Sequence, residues 1–141
     1  GNFRKLKTFV PNQDKNKLFL GKPLGTYRSL SNIPNFGYEM FVKRSSTVDV
    51  IWFNQRDMPQ SFFEVEHSTD IQNALLKFVD LQDCFCKMVI VASADRKKEF
   101  EKKLNYAAFV DIRQRISFLN YEAVVKTYDI EVFKSNLEFS L

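Results

Sequence analysis

With 141 residues, 45% of them hydrophobic and fifteen of them phenylalanine, the chain is long and apolar enough to build one domain around a real core, which sets disorder aside. No apolar run nears the ~20 residues of a membrane span, no secretory leader opens the chain, and one histidine with two cysteines nearly excludes a zinc cluster within it. The net charge of +4 permits a polyanionic partner without demanding one. Cys84 and Cys86 are too close in sequence to pair well with each other, so a reduced, cytoplasmic setting is the simplest inference. The opening Gly1-Asn2, without Met, is compatible with a domain taken from a larger protein.

Residues 1–35 are basic and turn-rich, with Lys15, Lys17 and Lys22 set among Pro11, Gly21 and Pro23. They read as an irregular arm with one short strand at Lys17–Leu20, whose Phe9, Leu18 and Phe19 cover the core; a phosphate-contacting arm is the weaker reading. Residues 36–46 predict one or two helical turns. Glu39 there reads as a surface residue rather than an added site carboxylate. Val48–Phe53 and Ser61–His67 are rich in β-branched and aromatic residues around a turn at Asp57–Gln60, which predicts a hairpin. A helix follows, opened by a Thr69/Gln72 capping box and carrying Ile71, Leu75, Phe78 and Val79 on one face to about residue 83. Lys87–Ser93 is a near-continuous apolar run, the pattern of a strand buried on both faces, and its place after strand and helix predicts a parallel crossover. Asp95–Ala107 predicts a helix whose Glu99→Lys103 and Lys97→Glu101 pairs mark a solvated face. Ile112–Leu119 predicts a strand and Tyr121–Phe133 an amphipathic helix with Val124, Val125, Tyr128 and Val132 inward. The order gives a single α/β domain, a mixed sheet flanked by helices in three layers.

Three acids stand out on the hairpin. Strand alternation places Glu64 and Glu66 on one face and Phe63 and Val65 on the other, and antiparallel pairing brings Asp49 near the two glutamates. Unit charges ~4 Å apart repel by roughly 4 kcal/mol at an effective dielectric of about 20, and a hard divalent cation such as Mg2+ is the usual remedy. A lone pair of glutamates two apart on a strand also has a simpler reading, the charged outer face of an edge strand. Gln72 either faces the carboxylates as an accessory water holder or serves only the helix start. His67 alternates to the other face and reads as structural.

An acid on one strand, a hairpin, then an acid two residues before a further polar group, followed by a helix and a buried strand, resembles the core of the PD-(D/E)XK nuclease superfamily over residues 48–93, with Phe63-Glu64-Val65-Glu66-His67-Ser68-Thr69 similar to restriction-endonuclease-like domains. The resemblance implies a three-layer α/β/α fold and Mg2+- or Mn2+-dependent hydrolysis of DNA phosphodiesters. It assigns Asp49, Glu64 and the Val65 carbonyl to the metal. Glu66 stands where the motif has lysine and becomes a second-ion ligand or the general base. Double-strand cutting would favour a symmetric homodimer. The competing reading is a nuclease-like module that binds nucleic acid or a protein without cutting.

Overall fold

The structure, a computed structural model, describes residues 1–140. After a single 3-10 turn at Asn2–Arg4, the chain forms β1 (Lys7–Phe9), then a two-stranded hairpin of β2 (Leu18–Phe19) and β3 (Lys22–Pro23). Helix α1 (Glu39–Ser45) leads into β4 (Val50–Phe53) and β5 (Pro59–Glu66). Then come α2 (Ile71–Asp80), β6 (Lys87–Ala92), α3 (Lys97–Leu104), β7 (Ile116–Asn120) and α4 (Tyr121–Ser140). Five strands form one mixed sheet in the order β1-β4-β5-β6-β7, antiparallel from β1 to β5 and parallel from β5 to β7. The protein is therefore α/β with a central mixed sheet and four helices among the described residues. None of those helices is long and apolar enough to cross a membrane.

The hairpin and the crossovers follow the sequence pattern closely. Asn54 organises the β4–β5 turn by accepting from the amides of Arg56 and Met58, and Asp57 takes a left-handed φ of 61°, so the turn lies slightly earlier than Asp57–Gln60. β6 is buried from Met88 to Ala92 because it lies between two parallel neighbours with both faces covered. α2 turns Ile71, Ala74, Leu75 and Phe78 onto Ile51, Phe53, Phe62, Met88 and Ile90, and Phe100, Phe109 and Ile112 extend the same core. On the other side Trp52 meets Phe63 at 4.7 Å, and Tyr128 of α4 collects Phe3, Phe19 and Tyr27 edge to face.

Other boundaries and contacts also differ from the sequence reading, α3 being shorter than Asp95–Ala107 at both ends. Part of the arm joins the sheet: Thr8 and Phe9 are buried and pair with Trp52 and Ile51, so β1 is an edge strand. The cap of α2 is Asp70, whose carboxylate accepts from the Gln72 amide, because Thr69 is engaged elsewhere. Ile112 is a core residue in a turn before β7 rather than part of the strand. α4 runs on to Ser140 with Val124, Val125, Tyr128 and Val132 only half-buried and no residue fully buried.

Candidate active site

The site begins with a register. Val50 lies opposite Phe63 and Ile51 opposite Phe62, so the residue before β4, Asp49, meets Glu64 on the same face of the sheet. Two hydrogen bonds lock this meeting. The Val65 amide donates to Asp49 Oδ2 at 2.7 Å, and the Asp49 amide donates to Glu64 Oε1 at 3.2 Å. Phe62, Glu64 and Glu66 all fall on the buried face of β5, with Glu64 only 2% exposed. The sheet thus holds two carboxylates against each other, and a third, Glu66, one pleat further on. Glu66 accepts from the Thr69 hydroxyl. The loop after it is tied down by Arg96, which donates to the carbonyls of Glu66, His67 and Thr69 while its guanidinium pairs with Glu99.

Cations answer these charges from two directions. Lys77 of α2 donates to Glu64 Oε2 at 2.9 Å and Oε1 at 3.1 Å, and to the Thr47 carbonyl at 2.9 Å. Lys17, just ahead of β2, binds Asp14 Oδ1 at 2.6 Å and reaches Asp49 Oδ1 at 3.9 Å. Lys17 is half-exposed, so its pairs are screened and weak; Lys77 is mostly covered and its pair with Glu64 matters more.

Even so, the carboxylates remain under-compensated. Burial pushes the Glu64 carboxyl up to about 7, and the nearby Asp49 charge adds to this against the pull of Lys77. Glu66 is raised to about 7 by burial first and the Asp49 charge second. Asp49 is raised as well, by burial, with the Val65 amide and Lys17 opposing. Going from 4.5 to about 7 means that ionised Glu64 is disfavoured by ~3 kcal/mol relative to solvent. Both glutamates therefore stand poised to exchange a proton near neutrality.

Among the described residues no three His, Cys, Asp or Glu side chains are grouped so as to share a metal ion. The chemistry of the cluster nevertheless suits a hard divalent cation: every donor is oxygen, and the carboxylates carry charge that two lysines do not cancel. Asp14, which contributes to the raised pKa of Asp49, also keeps its Oδ2 buried with no hydrogen-bond partner.

Of the other sequence candidates, Gln72 is half-buried and its side chain makes no hydrogen bond among the described residues; its amide serves the α2 cap. Glu39 is exposed at the start of α1. His67 is exposed, with Nδ1 2.9 Å from the Tyr121 hydroxyl, which also donates to the Glu66 carbonyl. Lys77 and Asp14 were not singled out from sequence. Lys77 sits in the last turn of a helix, where a basic residue is expected for the dipole alone. Asp14 reaches the site only because β1 pins the arm beside β4. The signal for Lys77 was its position beside Ala74 and Phe78, next to the buried face.

The type II restriction enzyme NmeDI of Neisseria meningitidis serogroup C is 27% identical over 94 residues, covering 63% of this chain and 26% of that protein. The chain thus spans about a quarter of the relative's length. No solved structure matches. The family model described as the type II restriction enzyme NmeDI C-terminal domain matches residues 1–138, and the chain belongs to that family.

Proposed function

We propose that this chain is a metal-dependent DNA endonuclease module of restriction type, with a three-layer PD-(D/E)XK core. The observation that carries the proposal is Asp49 locked against Glu64, with Glu66 beside them and both glutamates raised to about 7 on the buried face of β5. Asp49, Glu64 and the Val65 carbonyl would hold Mg2+ or Mn2+, and Glu66 is available as a further ligand. The bound ion supplies Lewis acidity toward the scissile phosphate and a more acidic water.

The protein's own residues do the rest. Glu66, with a pKa near working pH, takes the proton of the attacking water, since a general base is most effective when its pKa lies near the pH at which it works. Arg96 and Tyr121 fix the backbone that follows Glu66, so its carboxylate is aimed before substrate arrives. DNA is the partner that the restriction-enzyme family relation favours for this chemistry, and cutting both strands would recruit a second copy of the chain. A longer protein around this module, as in the NmeDI relative, would be the natural home for sequence recognition.

A second reading has its own support. Lys77 and Lys17 already pair with the carboxylates, an arrangement suited to a non-cutting module that binds nucleic acid or a protein. Incubation with long, unmodified amplified DNA in Mg2+ separates the two. The nuclease reading expects cleavage that chelator stops and Asp49→Ala abolishes; intact DNA bound in a salt-sensitive way would favour the second.

A further inference from the structure

β5 carries an acid where the nuclease motif has lysine, so the strand itself brings no positive charge to the scissile phosphate. α2 does. Lys77 Nζ has three N–H donors and three acceptors: the two Glu64 oxygens and the Thr47 carbonyl. Its side chain is 23% exposed, so it is largely covered without being sealed from solvent. Thr47 lies in the turn two residues before Asp49, and Glu64 lies opposite Asp49. The ammonium therefore bridges the two segments that deliver the acids. Lys17 offers a poorer alternative, being 53% exposed, paired with Asp14 at 2.6 Å and no closer than 3.9 Å to Asp49.

We infer that Lys77 is the positively charged catalytic residue of this site, delivered from a helix in place of the motif lysine. The inference rests on the nuclease reading above. Two of its three N–H groups are spent on a single carboxylate. Once Glu64 gives one oxygen to a cation, one N–H is released and is free to turn toward a water or phosphoryl oxygen at the same carboxylate. In the step it serves, the water oxygen bonds to phosphorus and the water proton passes to the Glu66 carboxylate. The bond from phosphorus to the leaving sugar oxygen breaks, and that oxygen takes a proton from solvent. Lys77 remains charged throughout, holding the water and offsetting the negative charge that builds on the phosphoryl oxygens.

The test compares the wild-type chain with Lys77→Gln, which keeps neutral donors toward Glu64 and Thr47, and with Lys77→Arg, which keeps the charge. Mn2+ binding is followed by calorimetry, and single-turnover cleavage of long amplified DNA is followed in Mg2+. Lys77→Gln is expected to cut at least ~100-fold more slowly while binding Mn2+ within about fivefold of wild type, and Lys77→Arg to recover at least ~10-fold of that loss. Wild-type cleavage rates in Lys77→Gln would overturn the assignment. So would a loss of Mn2+ binding in step with cleavage, since Lys77 would then only prop Glu64 in place. A wild-type chain that binds DNA but never cuts it removes the nuclease reading itself, an outcome distinct from either.

Discussion

β5 and β6 are parallel neighbours in one sheet, and opposite in what burial does for the residues they turn into the core. In register, Glu64 lies beside Ile90 and Glu66 beside Ala92. On β6, Met88, Ile90 and Ala92 have no exposed surface and bury only carbon and sulfur side chains, which stabilises the fold at roughly 25 cal/mol per Å² of apolar surface removed from water. On β5 the same depth holds carboxylates whose ionised forms are disfavoured by burial. A buried ion pair rarely repays its desolvation, so the Glu64–Lys77 contact limits the cost rather than reversing it. The lesson is that one strand of the core holds the sheet together, while its neighbour carries a destabilising load.

The sharpest way to test this contrast is to truncate each strand in turn. Ile90→Ala is expected to lower the stability by ~2–5 kcal/mol in chemical denaturation, as large-to-small changes in a packed core do. Glu64→Gln, which keeps shape and hydrogen-bonding capacity, should shift stability at pH 8 by less than about 1 kcal/mol, or raise it, while abolishing cleavage. A loss of stability in Glu64→Gln to match that of Ile90→Ala would place Glu64 in the structural scaffold.

The pH profile probes the same load. Glu64 and Glu66 have folded pKa values of about 7, above their usual 4.5, so the folded chain binds the extra protons. Their contribution is complete below about pH 4.5 and is lost as the pH rises through about 7. The melting temperature should therefore decline between about pH 5 and pH 8, and the combined Glu64→Gln and Glu66→Gln variant should flatten that decline. Asp70 and Glu99 act in the opposite sense and at lower pH, because hydrogen bonds from Lys103 and Arg96 hold their carboxyls below the usual range. Millimolar Mg2+ at pH 8 should win back part of the loss, by ~1–3 kcal/mol if its concentration exceeds the dissociation constant about 10- to 100-fold, and Glu64→Gln should blunt the gain. Away from the two strands, Arg4→Ala breaks a partly exposed pair with Glu131 and should change stability by only ~0.2–1 kcal/mol.

Local pattern carried far into this protein. Alternation in Ser61–His67 assigned Glu64 and Glu66 to one face, the apolar run Lys87–Ser93 announced a strand covered on both sides, and the helix between them required a parallel crossover. All three properties are periodic and short-range, so the order of side chains determines them before any long-range contact forms. Other features depended on segments far apart in the chain. Lys7–Phe9 is too short to signal a strand, and it becomes one only because β4 offers an unpaired edge. Thr69 and Gln72 spell a capping box, yet Glu66 takes the threonine hydroxyl and leaves the cap to Asp70.

The amino-acid order by itself determined the α/β class, the hairpin and the face on which the acids lie, because hydrophobic periodicity is written residue by residue. Only the tertiary structure decided which positive charge meets which acid. Lys77 and Glu64 are thirteen positions apart and Lys17 and Asp49 thirty-two, and ionic contacts over such separations depend on how α2 and the N-terminal arm pack against the sheet. Spacing along the chain encodes pairs one helical turn apart, such as Glu99 and Lys103, but charges this far apart in sequence meet only through the packing of the elements that carry them.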